Sequence, residues 1–196
     1  MKTIKILFLL ISFNFIYSIS FCQKKQNDKE LANKYYNSAI DLMYKNKLSE
    51  ALEYADKTHE LFIKLYGEKS LKNADCYNLY GYIYFYAENF NSAIENWLKS
   101  VEIRIELTGE NTKDVADIYN SLGAAYSDNT EYKKAIDYYT KSLEINRSLF
   151  GEKSAGVAVC YSNLGRVYDN VSEYKKALEY FNKSLNIKEE VFGYET

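Results

Sequence analysis

The chain has no proline and only one histidine among its 196 residues. A Ser–His–Asp or Cys–His catalytic arrangement would therefore have to use His59. The sequence also lacks a Cys/His cluster with metal-ligand spacing and a glycine-rich phosphate loop. Its formal net charge of −2 provides no electrostatic basis for binding nucleic acid. These absences predict a protein that is not an enzyme, that uses no cofactor or metal, and that does not bind nucleic acid.

What is present is typical of a folded protein. Apolar residues make up 47% of the chain and charged residues 27%, which excludes a disordered polypeptide. Tyrosine is unusually frequent, with 21 copies. It suits partly buried surfaces, because its ring is apolar while its hydroxyl can stay in water.

Residues 1–22 have the layout of a secretory signal peptide. "MKTIK" supplies two positive charges, the apolar run "ILFLLISFNFIYSISF" follows, and residues 23–28 form a polar leader. The run of 16 residues is short for a membrane span, which needs about 20. We predict cleavage before Gln23 and an exported protein, periplasmic or extracellular. An uncleaved membrane anchor and a lipid anchor on Cys22 are the alternatives.

The rest of the chain is an internal repeat with a period of 42 residues. Four glycines keep this spacing, in the tetrapeptides "GEKS", "GENT", "GEKS" and "GYET": Gly67, Gly109, Gly151 and Gly193. Three longer segments align at the same interval: "YNLYGYIYFYAENFNSAIENW" from 77, "YNSLGAAYSDNTEYKKAIDYY" from 119 and "YSNLGRVYDNVSEYKKALEYF" from 161. A degenerate first copy at 35–55 has Ser38–Ala39 in place of the Leu–Gly pair.

Each repeat is predicted to fold as two helices. In the third repeat apolar residues recur at steps of three and four, which indicates one buried face on each helix. A mid-helix glycine costs about 1 kcal/mol relative to alanine, so its recurrence indicates close helix packing. We expect the second helix to pass close to three glycines, where a side chain would clash: Gly81, Gly123 and Gly165. The recurring bulky residues of that helix are Trp97, Tyr139 and Phe181.

The turns between helices carry capping residues. Glycine just past a helix end can take a positive φ and satisfy the last carbonyls, so the "GEKS" motif is predicted to end each second helix. Ser70, Thr112 and Ser154 are the predicted N-caps of the following first helices. Thr130 and Ser172 are the predicted N-caps of two second helices.

The pattern of Tyr, Leu–Gly, Tyr, Ala and an aromatic residue resembles the tetratricopeptide repeat, over about residues 33–192. The usual unit has about 34 residues; the longer unit here is similar to the repeats of kinesin light chain, without the proline that often closes them. The resemblance implies an all-α, right-handed α-solenoid of about four helix pairs. Their expected ranges are 29–67, 70–109, 112–151 and 154–192.

The resemblance also implies that first helices line a concave groove that holds a peptide segment of a protein partner. The predicted groove residues are Asn78, Tyr82, Phe85, Asp117, Asn120, Ser121, Ser127, Ser162, Asn163, Arg166 and Asp169. A row of Asn amides can hold an extended peptide backbone, because each offers both a donor and an acceptor. A solvated polar face is the alternative for this row. Tyr82 and Phe85 are either a hydrophobic anchor pocket or packing against the next repeat.

Two cysteines are expected in the core. Cys76 and Cys160 occupy the same place in non-adjacent repeats, too far apart for a disulfide if repeats stack at about 10 Å. A reactive thiol or an intermolecular disulfide is the alternative. His59 shares its column with Val101, Leu143 and Leu185, so we expect it on a half-buried face.

A non-enzymatic protein- or peptide-binding scaffold is therefore the predicted function. One alternative is the docking or sensing part of a larger effector, such as a caspase-like protease or a sensor kinase. A glycan-binding exported repeat protein is the other. The signal segment and the Asn/Lys/Ile/Tyr bias resemble exported proteins of Bacteroidota-type bacteria.

The last helix is patterned like the internal ones, although residues 193–196 are either the start of a further repeat or the C-terminal end. Four of its apolar residues match columns that a following repeat would cover: Leu178, Phe181, Leu185 and Ile187. We therefore expect the last pair to be the least protected from hydrogen exchange, or to be covered by a partner or by self-association.

Overall fold

The computed structural model describes residues 2–193, and side chains for residues 22–191 and 193. These residues form eight helices and no strand. The helices are α1 (Lys2–Tyr44), α2 (Leu48–Tyr66), α3 (Leu71–Tyr86), α4 (Phe90–Thr108), α5 (Lys113–Asp128), α6 (Tyr132–Phe150), α7 (Ala155–Asn170) and α8 (Tyr174–Phe192). Consecutive helices pack as α1/α2, α3/α4, α5/α6 and α7/α8, each pair joined by a three-residue turn. The predicted all-α architecture of four helix pairs is confirmed.

The pairs belong to two compact units. The first unit, Met1–Glu68, contains α1 and α2. The second, Lys69–Thr196, contains the other six helices, and within it α4 packs on α5 and α6 packs on α7. The first helices α5 and α7 also touch directly.

Helix α1 begins far earlier than the repeat pattern predicts. It runs from Lys2 through the polar leader, since no proline or glycine occurs before its end at Tyr44. In the leader, Asp28 Oδ2 accepts a hydrogen bond from Lys64 Nζ of α2 at 2.6 Å. The side chains of the predicted signal segment up to residue 21 lie outside the described ones. Where side chains are described, no helix is long and apolar enough to cross a membrane.

The predicted close approach of the second helix to the glycine is present in three pairs, and the structure adds that the contacting group is an aromatic ring. A Cβ atom on Gly123 would lie 2.6 Å from Tyr139 Cδ1, and one on Gly165 would lie 2.8 Å from Phe181 Cδ1. A Cβ on Gly81 would overlap the indole of Trp97. In the first pair the same columns hold Ala39 and Ala55, both fully buried. The methyl group of Ala39 therefore fits at the glycine position, because the first pair has Ala55 and not an aromatic ring at the other position.

A buried serine ties each pair together in the second unit. Ser142 Oγ of α6 donates a hydrogen bond to the Ala116 carbonyl of α5 at 2.8 Å. Ser100 and Ser184 donate in the same way to the carbonyls of Ala74 and Ala158, both at 2.7 Å. This column was not singled out from the sequence, because serine at a helical position is usually a surface residue.

The repeated glycine ends each second helix as predicted. Gly67, Gly109 and Gly151 have φ between 81° and 87° and ψ near 170°, a region that is essentially restricted to glycine. The Gly151 N–H donates to the Arg147 carbonyl at 3.0 Å. Each of these glycines thereby satisfies one carbonyl of the last helical turn.

The three predicted N-cap residues of the first helices are confirmed, and two of them make a side-chain cap bond. Ser70 Oγ accepts from the Asn73 N–H at 3.2 Å, and Thr112 Oγ1 accepts from the Val115 N–H at 3.3 Å. Ser154 also precedes its helix, but its hydroxyl donates to the Gly151 carbonyl at 3.1 Å and makes no cap bond.

The prediction that Thr130 and Ser172 are N-caps is wrong. Both have φ of 63°, and Glu131 and Glu173 precede the second helices instead. The Thr130 N–H donates to the Ser127 carbonyl at 3.0 Å, and the Glu131 N–H donates to the Tyr126 carbonyl at 2.8 Å. This pair of bonds is a Schellman motif, so Thr130 closes the first helix rather than opening the second.

We expect Thr130→Gly to raise the free energy of unfolding by about 0.5–1 kcal/mol. A β-branched residue at positive φ is strained by about 1–3 kcal/mol, whereas glycine gives up part of that gain to its own entropy. Urea denaturation measures the change, with Thr140→Gly inside α6 as the control that should lose stability. A loss at Thr130 would show that the turn stores no strain.

The two core cysteines lie as predicted. Cys76 and Cys160 are 0% and 1% exposed and are not joined by a disulfide. Burial raises the pKa of the Cys160 thiol, which favours the interpretation of a core residue over that of a reactive thiol.

Apolar side chains on α8 are uncovered in the described residues. Phe181 and Leu185 are 38% and 47% exposed, whereas their equivalents Tyr139 and Leu143 are buried. Leu178 is 62% exposed, whereas its equivalent Ile136 is half-buried. The expectation is wrong for Ile187, which is buried in the core cluster of its own unit and needs no further repeat.

Candidate functional site

Predicted groove residues from three repeats lie on neighbouring first helices of the second unit. Asn163 Nδ2 of α7 donates to Asn120 Oδ1 of α5 at 2.8 Å. The hydroxyls of Tyr82 on α3 and Ser121 on α5 are 3.2 Å apart. We call the surface formed by α3, α5 and α7 the first-helix face.

Two residues of the Asn row are hydrogen-bonded to each other between helices. The Asn163–Asn120 bond takes one donor and one acceptor, which leaves the Asn120 Nδ2 and Asn163 Oδ1 groups of two half-buried residues. Asn78 Oδ1 on α3 is buried and makes no hydrogen bond to any described residue. The row therefore keeps amide groups that a ligand can use.

Tyr82 and Phe85 are engaged in packing. Their rings lie 5.2 Å and 5.8 Å from the Trp97 ring, measured between centroids. Phe85 also lies 5.6 Å from Phe90, at the start of α4. These contacts favour packing over the interpretation of an open anchor pocket, and for Phe85 the packing is within its own repeat.

The polar residues of the face differ in exposure. Arg166 is exposed, and its Nη2 lies 3.4 Å from the buried Tyr139 hydroxyl. Burial raises the pKa of Tyr139, and the neighbouring guanidinium opposes that shift. Ser162 is half-buried and Asp169 is exposed. Ser121 and Ser127 are 8% and 3% exposed, so they were wrongly placed on the surface of the groove.

A cavity of about 470 Å³ opens beside this face, where α5, α6 and α7 meet. Residues from all three helices line it, among them Lys113, Asp117, Asn120, Asn146, Phe150 and Val159. Lys113 Nζ lies 2.5 Å from Asp117 Oδ2, and this hydrogen bond raises the pKa of the lysine. Two predicted groove residues, Asp117 and Asn120, thus stand at the wall of a cavity.

Arg104 is a buried charge that sequence reasoning missed. Its side chain is 9% exposed, and it donates from Nη2 to Asp75 Oδ1 at 2.5 Å and from Nη1 to Asp114 Oδ2 at 2.6 Å. It thereby joins α4 to both α3 and α5. The available signal was an arginine one turn beyond Ser100 and Val101, on the buried side of α4.

Two pairs of stacked tyrosines recur at equivalent places in the third and fourth helix pairs. Tyr126 and Tyr138 stack with centroids 5.3 Å apart, and Tyr168 and Tyr180 repeat the arrangement at 5.3 Å. Lys134 lies 5.0 Å above the Tyr126 ring, a cation–π contact. These rings tie first and second helices together, and their hydroxyls can remain hydrated.

The described residues were predicted to hold no metal and to place the single histidine on a half-buried face. Among them, no group of three His, Cys, Asp or Glu side chains is placed to hold a metal ion. His59 is half-buried, as its column predicts.

The family model named "Tetratricopeptide repeat" matches residues 30–106 and 114–190. A search of curated protein sequences finds no significant match. Tetratricopeptide repeats generally form non-enzymatic scaffolds for protein interactions.

Several solved structures are similar to the chain in fold. The apo form of RapI aligns with a TM-score of 0.71 and 24% identity, over 83% of this chain and 44% of that one. Kinesin light chain TPR-like repeats from Podosopora anserina align with a TM-score of 0.72 and 14% identity, over 83% and 77%. A STAND protein with a tetratricopeptide repeat sensor, from Pyrococcus horikoshii, gives 0.70 and 24%, over 80% and 24%.

The chain thus spans less than half the length of the RapI chain and about a quarter of the STAND chain. At these identities the likeness concerns the fold alone. The family model, in contrast, covers most of the sequence in two blocks that together include parts of all four helix pairs. The chain belongs to the tetratricopeptide repeat family.

Proposed function

We propose that the protein is a non-enzymatic scaffold that binds an extended peptide segment of a protein partner on the first-helix face. The observation that supports this most is the cavity of about 470 Å³ next to Asn120, flanked by the Asn120–Asn163 pair. A concave site with few polar groups amid apolar walls is the usual form of a ligand pocket. The amides beside it suit a peptide backbone, because they offer donors and acceptors irrespective of the peptide's side chains.

Binding on this face is tested with an array of random dodecapeptides and the double variant Asn120→Ala, Arg166→Ala. We expect peptides retained by the parent chain to lose at least tenfold in affinity, because both a backbone-binding amide and the exposed cation are removed. The matched control is Lys133→Ala with Lys175→Ala, two exposed residues of the second helices, which should leave binding unchanged.

Two results would contradict the proposal. Equal affinity of the parent and the groove variant would place the peptide site elsewhere. Binding on a glycan array with no peptide retained would instead favour a glycan-binding repeat protein.

A sensor module of a longer protein is the second candidate. The STAND protein from Pyrococcus horikoshii is described as having a tetratricopeptide repeat sensor, and this chain spans 24% of it. Reading the genomic frame beyond Thr196 tests this candidate. An in-frame protease, kinase or ATPase domain would support it, and a stop codon directly after Thr196 would contradict it.

We further propose that the protein is exported, with residues 1–22 removed as a signal peptide. The charged start, the apolar run and the polar leader support this. Mass spectrometry of the protein from its native host should give an N-terminus at Gln23. Recovery of the intact chain from a membrane fraction would support an anchor instead.

A further inference from the structure

Two equivalent helix junctions in the second unit are occupied by different side chains. We call the meeting point of α3, α4 and α5 the first joint, and that of α5, α6 and α7 the second joint. Along the 42-residue period, Asp75, Arg104 and Asp114 of the first joint correspond to Asp117, Asn146 and Gly156 of the second. The backbone arrangement repeats, while two of the three side chains become shorter.

The first joint is filled by an internal arginine. The Arg104 guanidinium lies between Asp75 Oδ1 and Asp114 Oδ2, at 2.5 Å and 2.6 Å. The other oxygen of the Asp75 carboxylate, Oδ2, lies 3.3 Å from Lys72 Nζ. The Asp75 carboxylate thus pairs with Lys72 of its own helix and with Arg104 of α4.

The second joint keeps the carboxylate, pairs it with a lysine from a different position of the same helix, and has no arginine. Asp117 Oδ2 accepts from Lys113 Nζ at 2.5 Å, and Asp117 Oδ1 makes no hydrogen bond to any described residue. Asn146 is too short to reach as Arg104 does, and its Nδ2 donates to the Ser142 carbonyl at 2.9 Å. The cavity of about 470 Å³ lies at this joint, and Asp117, Asn146 and Gly156 all line it.

The walls of this cavity suit the aliphatic part of a long cationic side chain. Phe150 and Val159 are 51% and 46% exposed at its edge, and Ala155 adds further apolar surface. Arginine buries its methylene stem against such surface while its charged end reaches a carboxylate. The Lys113–Asp117 pair is exposed and i, i+4, so it is weak and leaves one oxygen for a second cation.

We propose that the second joint binds an arginine side chain of the partner peptide, with the guanidinium on Asp117 and the stem between Phe150 and Val159. The arginine takes the place that Arg104 occupies at the first joint. Since Asn120 lines the same cavity, the peptide backbone lies along the Asn120–Asn163 pair as the side chain enters. This inference rests on the proposed function and names the chemistry of the peptide that it takes.

The test uses the ¹⁵N-labelled chain and two short probes, acetyl-Ala-Arg-Ala-amide and its citrulline analogue, which is neutral and nearly isosteric. We expect saturable amide shifts around Asp117, Asn146 and Cys160 with the arginine probe. The affinity for the citrulline probe should be at least tenfold lower, because the charge-assisted hydrogen bonds are lost. Asp117→Asn should remove that preference.

A second variant tests the site by filling it with a longer side chain. Asn146→Arg restores an internal arginine at the second joint and should abolish binding of the arginine probe while the melting temperature is retained. Lys141→Arg, an exposed position on the same helix, is the matched control and should bind the probe normally.

Equal affinity for the two probes, or unchanged arginine binding in Asn146→Arg, would overturn the inference. If dodecapeptides still bind the first-helix face in those cases, the proposed function stands without the arginine site. If the arginine probe binds at the joint while no dodecapeptide does, the joint is an arginine site, but its assignment to a partner peptide fails together with the proposed function.

Discussion

Replacing Gly123 with alanine is expected to lower the free energy of unfolding by about 2–3 kcal/mol. The new methyl group would lie 2.6 Å from Tyr139 Cδ1, and the Tyr139 ring is fully buried. A ring in a packed core cannot move aside freely, and forcing extra volume into such a core typically costs about 1–3 kcal/mol. Urea denaturation followed by circular dichroism measures the loss.

A double-mutant cycle with Tyr139→Ala isolates the cause. Without the ring, Gly123→Ala should stabilise the protein by about 0.5–1 kcal/mol, since alanine is the better helix former. The first pair already has alanine at both equivalent positions, Ala39 and Ala55. If Gly123→Ala were equally damaging in both backgrounds, the contact with the ring would not be the reason for the glycine.

Removing Arg104 by substitution with alanine is the second large change, with an expected loss of about 2–3 kcal/mol. The substitution leaves a void among three helices and takes the cation away from Asp75 and Asp114. Their side chains are 28% and 65% exposed, so water compensates part of the loss, and the cost stays below that of a fully buried pair. Thermal and urea denaturation give the value.

Lys99→Ala on the same helix is the control. Its ion pair with Glu95 is exposed at 2.7 Å, and such pairs contribute about 0.5 kcal/mol or less. A loss at Arg104 no larger than that at Lys99 would mean that the buried guanidinium contributes only as a surface charge does.

Features that depend on a single repeat were predictable from the sequence. The close approach of a second helix to Gly123 follows from a glycine that recurs inside an apolar helix face, although the contacting ring of Tyr139 was identified only in the structure. The stop at Gly151 follows from the position of a glycine after an apolar helix. Both require knowledge only of helix geometry and of the 42-residue period.

The errors arose where two geometries compete for the same residue types. Thr130 has the composition of an N-cap, but the first helix extends to Asp128 and its closing turn needs a residue at positive φ. Arg104 and its carboxylates come from three helices, and the sequence does not state which way a long side chain turns. The cavity was equally hidden, because residues of three helices line it.

The serine bonds span a fixed and short distance along the chain. Each joins residues 26 positions apart, and the glycine–ring contacts lie within one helix pair as well. Contacts of low sequence separation favour fast folding, because little loop entropy is lost before they form. Each helix pair of the second unit has all the partners for these contacts within about one repeat of chain. The array can therefore fold in steps of one repeat, which suits a chain that crosses a membrane unfolded and folds afterwards.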